Sequence, residues 1–351
     1  MYTKVIKINQ EHIDKAVLEE AADWIKRKEL VAFPTETVYG LGANGLDPEA
    51  SAKIYAAKGR PSDNPLILHI SDMDELEPLV QEIPGAARKA AEAFWPGPMT
   101  MILKKSEIVP LETTGGLSTV AIRMPDHPIA RALIRESGCP IAAPSANTSG
   151  KPSPTRAEHV FEDMNGRIPC ILDGGMVGIG IESTIIDFSE KKPVILRPGF
   201  ITPKMFEEVI GMPVAIDPAV MGGGAKGIAP KAPGMKYKHY APKAELVLVS
   251  GEEGKVISYI NRKVTEAHRK GERIGVIATD ETADRYQGDV VLSIGTKSCD
   301  STIAYHLYDV LRRFDHEEVD MIYSQVFETG ENGFAIMNRL TKAAGYERIE
   351  V

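Results

Sequence analysis

Lys58 and Arg60 stand two residues apart in Lys58-Gly59-Arg60-Pro61, a stretch that continues to Asn64-Pro65. A lysine is a point charge and an arginine a planar fork, so the two can converge on one polyphosphate. The same spacing also fits a solvated surface pair, which contributes little. Ser145-x-Asn147 offers a hydroxyl and an amide inside Pro144-Ser145-Ala146-Asn147-Thr148-Ser149-Gly150. These groups suit a phosphate or an amine, and they equally suit plain turn chemistry. Thr35, Glu36, Thr37 and Tyr39 crowd polar groups behind the apolar Val31-Ala32-Phe33, where hydroxyls either hold a small polar molecule or cap a turn. Arg123 ends the apolar run Val120 to Ile122 and can pair with a carboxylate, in a site or on the surface. His69 lies in another apolar run, Leu66 to Ile70, as a ligand contact or as a hydrogen-bonded core residue. Glu182-Ser183-Thr184 follows Gly174, Gly175, Gly178 and Gly180, whose missing side chains let backbone approach a ligand.

These groups need elements to hold them. Val31 to Phe33 reads as a strand ended by Pro34, which cannot donate to a sheet ladder. A Gly40-x-Gly42 turn is expected next. A helix over Ala50 to Lys58 then delivers Lys58 and Arg60 into an exposed loop, and a strand follows over Leu66 to Ile70. Ile13 to Lys28 has apolar residues at helical spacing. Asp74 to Leu79 and Pro84 to Phe94 also read as helical. Pro128 to Ser137 reads as a helix opened by a proline and closed by Gly138. Strands are expected over Met99 to Leu103, Val120 to Ile122, Ile141 to Ala143, Ile171 to Asp173, Ser183 to Phe188 and Val194 to Leu196. Strands and helices do not alternate strictly here, so a mixed sheet is expected.

From Gly211 to about Lys243 the composition shifts to glycine, proline and cations, as in MGGGAKGIAPKAPGMKYKHYAP. This reads as a linker, and as one too long and too rich in polar residues to be a mere tether. His239 stands out there among Lys236, Tyr237, Lys238 and Tyr240. Beyond it, strands over Glu245 to Ser250, Arg273 to Thr279, Asp289 to Ile294 and Val319 to Val326 alternate with helices over Lys255 to Lys270, Thr302 to Phe314 and Phe334 to Ala344. Repeated βα units imply a small, mostly parallel sheet. It carries no GxGxxG phosphate loop.

A chain of 351 residues suggests two domains. The first fifteen residues are too polar for a secretory signal, and no apolar run approaches the ~18 residues of a membrane span. Three scattered cysteines, Cys139, Cys170 and Cys299, make neither a disulfide framework nor a zinc pattern, so a reducing cytoplasm is expected. The net charge of -8 speaks against a broad phosphate-gripping surface but leaves room for a local basic pocket. GxSxG, HExxH, CxxC and GxxxxGK[ST] are all absent, which disfavours a conventional hydrolase, a zinc enzyme and a P-loop NTPase.

Taken in order, FPTETVYGLG (Phe33 to Gly42), KGRPSDNPL (Lys58 to Leu66), WPGPMT (Trp95 to Thr100), VAIRMPDHP (Val120 to Pro128), APSANTSG (Ala143 to Gly150), GIESTIID (Gly180 to Asp187), ILRPG (Ile195 to Gly199) and APGMKYKHYAP (Ala232 to Pro242) resemble the YrdC-domain family in its longer, two-domain form. The resemblance spans essentially the whole chain. It implies a YrdC-like catalytic domain over 1–210, with a twisted mixed sheet and helices around a concave basic pocket. It further implies a linker or lid over 211–243 and a smaller parallel-sheet, Rossmann-like α/β domain over 244–351.

The reaction implied is the formation of threonylcarbamoyl-AMP and pyrophosphate from L-threonine, bicarbonate and ATP. This is the first step toward threonylcarbamoyl-adenosine next to the tRNA anticodon. Magnesium would arrive on the ATP phosphates, and a separate threonylcarbamoyl-transferase complex would consume the product. By the same resemblance Lys58 and Arg60 are catalytic. Thr35, His69, Arg123, Ala143 and Ser183 surround threonine. Lys58, Arg60, Ser62, Asn64, Thr119, Ser145, Asn147, Ser153 and Arg197 surround ATP, with Lys236, Tyr237 and His239 in the lid. Two other readings use the same pocket: an RNA-binding or ribosome-maturation module, whose candidate contacts add Lys226, Lys231, Lys236 and Lys238, and a transferase or hydrolase acting on carbamoyl phosphate.

Overall fold

Val31, Ala32 and Phe33 form a three-residue strand with no exposed side chain. Val31 and Phe33 enter one apolar core and Ala32 another, as period-two geometry requires of a strand covered on both faces. The computed structural model describes residues 2–221, 232, 240–327, 330 and 332–351. It divides into two compact units: Met1–Ser149, Ser153–Gly178 and Glu182–Lys236 in one, and Gly150–Pro152, Ile179–Ile181 and Tyr237–Val351 in the other.

The first unit is built on an 11-stranded sheet. Its order is Lys4–Lys7, Cys170–Asp173, Val31–Phe33, Gly40–Asn44, Ile141–Ala142, Ile67–His69, Thr119–Arg123, Met99–Lys104, Thr184–Asp187, Val194–Arg197 and Ala215–Ile216. Parallel and antiparallel ladders mix: Ile67–His69 runs parallel to Thr119–Arg123, which runs antiparallel to Met99–Lys104. The helix Pro48–Lys58 shows how the sequence sets its ends. The Asp47 carboxylate accepts from the Ala50 amide at 3.0 Å, Pro48 stands in the first turn, and Gly59 closes the helix in the left-handed region at φ 61. Pro128–Ser137 likewise starts on its proline and ends at Gly138, φ 69.

Several sequence expectations need correction. Gly40 and Gly42 are not a turn but part of the strand Gly40–Asn44, antiparallel to Val31–Phe33. Glycine is there for space: a Cβ on Gly42 would stand 2.7 Å from both Ile141 Cγ2 and Phe33 Cε1. Lys58 is the last residue of its helix and is buried, not carried on an exposed loop. Met73–Glu75 and Glu77–Leu79 are two separate 3-10 turns, because Pro78 interrupts the run. The stretch read as linker from Gly211 begins with a strand, Ala215–Ile216, parallel to Val194–Arg197, and a turn of helix, Pro218–Met221. Lys4–Lys7, Ala157–Met164, Pro203–Ile210 and Arg348–Glu350 are regular elements without a sequence expectation.

The second unit has a five-stranded sheet in which every ladder is parallel. The order is Val290–Ser293, Ile274–Ala278, Met321–Gln325, Glu245–Ser250 and Arg348–Glu350. Helix Glu253–His268 packs Val256, Ile257, Ile260 and Val264 on the side chains of Val247, Val249, Ile274 and Val276.

Candidate active site

The helix Pro48–Lys58 ends by placing the Lys58 ammonium inside the loop after Ile141–Ala142. Nζ donates to the carbonyl oxygens of Ser145 and Asn147, at 2.5 Å each, while the Lys58 carbonyl accepts from the Ser149 amide at 2.9 Å. The strand Gly40–Asn44 pins the loop from the other side. The Leu41 amide donates to Pro144 O at 2.8 Å, and the Ala146 amide to Tyr39 O at 2.8 Å. Ser145 Oγ donates to Asn147 Oδ1, whose Nδ2 donates to Thr148 O. Lys58, Ser145 and Asn147, singled out separately in the sequence, thus form one hydrogen-bonded group around a buried cation. Arg60 is half-buried and folds back on its own loop, donating to Asn64 O and Pro65 O. Asn64 is buried, and its Oδ1 accepts no hydrogen bond among the described residues. Ser62 is exposed.

A second group gathers on the strand Thr119–Arg123. Sheet register puts His69, Arg123 and Thr100 level on three neighbouring strands. The Arg123 guanidinium donates from Nη1 to Thr37 Oγ1 at 2.9 Å and from Nε to Gly97 O at 3.4 Å. Thr37 Oγ1 lies 2.9 Å from Thr35 Oγ1, which donates to Val38 O. Arg123 Nη2 stands 2.6 Å from Glu36 Oε1, with the two side chains only 5% and 12% exposed. The N–H is not aligned on the oxygen, so among the described residues Nη2 and both Glu36 oxygens make no hydrogen bond. They are oppositely charged, close, and still have directional capacity for a ligand.

His69 faces this group as a neutral imidazole. Burial pushes its pKa down to about 3, with help from the Arg123 charge and against hydrogen bonds to Ile67 and Ile141. The ring meets Phe33 edge-on, with centroids 6.3 Å apart. His127 is held down to about 4, first by burial; Arg123 adds to the shift and Glu36 opposes it. Its Nδ1 is buried without a hydrogen-bond partner among the described residues.

Thr100 leads to a third group. Its Oγ1 is 2.7 Å from Ser183 Oγ, and Arg197 donates from Nη2 to Ser183 Oγ at 3.1 Å and from Nε to Ser183 O at 3.0 Å. Ser183 and Arg197 are both buried. Ser153 Oγ donates to Glu182 Oε1 at 2.6 Å. Gly199 allows the close approach of this turn to the strand: a Cβ there would meet the Thr184 amide at 2.5 Å. Ala143 is buried beside these strands, its amide donating to Ile67 O, and Thr119 begins its strand half-buried opposite Lys104.

Thr100 and His127 are not singled out in the sequence, and Glu36, Thr37 and Glu182 stand out there only as polar groups without an assigned ligand. Thr100 and His127 lie inside the quoted WPGPMT and VAIRMPDHP stretches, which was the available signal. That Glu36 and Thr37 both reach Arg123 depends on a turn whose course only the fold shows. Lys226, Lys231, Lys236, Tyr237, Lys238 and His239 lie outside the described residues, and the lid expectation with them.

Residues 23–199 match the family model described as "Telomere recombination", and 201–345 match that described as "Threonylcarbamoyl-AMP synthase, C-terminal domain". The threonylcarbamoyl-AMP synthase of Pyrococcus abyssi is 50% identical over 342 residues, 97% of this chain and 98% of the relative. The chain belongs to the threonylcarbamoyl-AMP synthase family. The Bacillus subtilis threonylcarbamoyl-AMP synthase is 51% identical over 329 residues, 93% of each chain. The crystal structure of the P. abyssi family member Sua5 complexed with L-threonine superposes with a TM-score of 0.93, at 49% identity, covering 99% of this chain and 100% of that one. The threonylcarbamoyl-AMP synthase family, in its full-length form, thus accounts for both units of the chain and for the YrdC resemblance.

Proposed function

We propose that the chain joins L-threonine, bicarbonate and ATP into L-threonylcarbamoyl-AMP, releasing pyrophosphate and water. Support comes from full-length membership of the threonylcarbamoyl-AMP synthase family and from the threonine complex of its P. abyssi relative. The observation that carries the site reading is Arg123: a buried guanidinium with one donor unaligned, framed by the hydroxyls of Thr35 and Thr37. Such a fork suits the threonine carboxylate. Glu36, His69, Ala143 and Ser183 complete the threonine side. Lys58, Arg60, Ser62, Asn64, Thr119, Ser145, Asn147, Ser153 and Arg197 form the ATP side, and Lys236, Tyr237 and His239 the cover.

The chemistry runs in two parts. The threonine amine, after losing a proton, bonds to the bicarbonate carbon as water leaves. One oxygen of the resulting carbamate then attacks the α-phosphorus. The bond to the bridging oxygen breaks, and pyrophosphate carries the electron pair away. An anion attacking a polyanion needs charge neutralisation and alignment more than a base. Lys58 and Arg60 supply cations, and the Ser145 and Asn147 side chains can re-aim their donors once a phosphate competes for the Lys58 ammonium. Magnesium enters bound to the ATP phosphates. Among the described residues no three His, Cys, Asp or Glu side chains converge on one point, so no protein ligand is assigned to it. Exclusion of water protects the mixed anhydride until a downstream threonylcarbamoyl-transferase complex passes the group to tRNA. No helix among the described residues is long and apolar enough to cross a membrane, and we place the reaction in the cytoplasm, where tRNA is modified.

The direct test supplies threonine, bicarbonate, ATP and magnesium and follows pyrophosphate and the adenylate. Pyrophosphate release that does not depend on threonine would overturn the reading. Arg123→Lys keeps the charge and loses the fork, and should raise the threonine KM by roughly tenfold or more while leaving the ATP KM nearly unchanged.

A further inference from the structure

The parallel sheet of the second unit has a crevice that the adenylation chemistry does not use. Strands Glu245–Ser250 and Met321–Gln325 are neighbours. The helix that leaves the first, Glu253–His268, packs on the face carrying Val247, Val249, Ile274 and Val276. The opposite face holds helix Asp300–Phe314: a Cβ on Gly275 would stand 2.5 Å from Phe314 Cε1. Helix Gly333–Ala343, which leaves Met321–Gln325, packs against Asp300–Phe314. Two adjacent parallel strands therefore send their helices to opposite faces. In open α/β sheets the gap outside the carboxyl ends at such a point is where ligands bind.

A cavity of about 310 Å³ sits there, lined by Ser250, Gly251, Glu253, Lys297, Gln325 and Arg348 among others. That is at the lower end of small-molecule sites. Gln325 is 7% exposed, and its carbonyl end is fixed: Oε1 accepts from Thr282 Oγ1 at 2.9 Å and from Tyr286 OH at 3.1 Å. Both partners are hydroxyls, and with Oε1 turned to them the amide nitrogen, which has no protein partner among the described residues, is left for the cavity. Glu253 is already neutralised, with Arg285 at 2.6 Å and Lys297 at 3.0 Å. Arg348 donates from Nε to Ser250 Oγ at 3.1 Å, which holds its guanidinium at the rim. Among the lining residues Lys297 and Arg348 balance Glu253 and Glu350, and Glu253 is further paired with Arg285.

We propose that this crevice binds a small molecule through an oxyanion group, a phosphate or a carboxylate, held by the Gln325 amide nitrogen, Lys297 and Arg348. The site is separate in sequence and chemistry from the residues assigned to adenylation, and it gives the second unit a ligand of its own. Inorganic phosphate and malate serve as probes in nitrogen–proton correlation spectra of the full-length deuterated chain. Saturable shifts are expected at the Gly251 and Val326 amides and at the Gln325 side-chain amide. Saturation by phosphate alone assigns a phosphate group, by malate alone a carboxylate, and by both a general oxyanion site.

Gln325→Glu keeps the two hydroxyl contacts and replaces the donor by a negative oxygen. Lys297→Met removes a cation from a side chain that is 48% exposed and not needed for the core. Each should weaken the probe at least tenfold with an unchanged melting transition. No saturable shift with either probe, or wild-type affinity in both variants, overturns the proposal.

Discussion

Glu36 and Arg123 stand 2.6 Å apart, carboxylate to guanidinium, and both are nearly sealed from solvent. Each is the other's compensating charge, yet the hydrogen-bond geometry between them is not satisfied. A buried pair of this kind costs most when one partner is removed alone. Arg123→Ala should therefore destabilise the first unit by about 3–5 kcal/mol, because Glu36 is left buried and unpaired. The double variant Arg123→Ala with Glu36→Gln should recover most of that loss and none of the threonine-dependent activity. Denaturant melts of the four-member cycle, read beside adenylate synthesis, check both halves. Recovery of threonine use in the double variant would place the substrate carboxylate elsewhere.

The parts of the fold that were legible in the sequence are those with local signals. Pro128 and Gly138 bracket their helix because proline fits the first turn and glycine the left-handed cap. The alternation of strands and helices beyond Glu245 announced a parallel sheet because crossover connections leave a periodic trace. What failed was non-local. Gly40 and Gly42 carry the signature of a turn, but their purpose is to let Phe33 and Ile141 close over a strand. Lys58 carries the signature of an exposed charge, and its burial depends on two carbonyls 87 and 89 residues away. Lys4–Lys7 and Arg348–Glu350 are short, polar strands at sheet edges, without an apolar pattern to give them away.

That steric role can be tested at Gly42. The residue has an ordinary extended conformation, so alanine meets no backbone strain, only the two contacts at 2.7 Å. Gly42→Ala should cost about 1–3 kcal/mol, the usual range for overpacking a tight core. Pairing it with Ile141→Ala, which removes the Cγ2 methyl at the clash, should cost less than the sum of the two single variants. A neutral Gly42→Ala would mean that the strand pair has room that the side-chain packing does not indicate.

Lys58 and Arg60 should behave differently although they share a motif. Lys58→Ala leaves the carbonyls of Ser145 and Asn147 without their donor and is expected to cost about 1–3 kcal/mol. It should also loosen the loop carrying Ser145 and Asn147, so nucleotide use falls for two reasons. Arg60 is half-buried and bonds to Asn64 O and Pro65 O of its own loop. Arg60→Ala should leave the melting transition within about 0.5 kcal/mol of wild type while raising the ATP KM. Equal melting of the two variants would contradict the buried placement of Lys58.

Two of the buried histidines, His69 and His127, give the chain an acid limit. Their pKa values in the fold, about 3 for His69 and about 4 for His127, lie below the unfolded value near 6.5. Between those limits the unfolded chain binds protons that the native chain does not, so stability must fall as pH drops below about 6.5. Each histidine contributes a slope of up to about 1.4 kcal/mol per pH unit, and the loss levels off only once the native histidines protonate. For His127 burial leads the shift, while among charged neighbours Glu36 favours the imidazolium and Arg123 opposes it. Urea melts between pH 7 and pH 4.5 should show this decline, and His127→Gln should remove about one proton from the slope. A His127→Gln variant with the same pH dependence as wild type would mean that His127 is protonated in the native chain, paired with Glu36 rather than held neutral beside it.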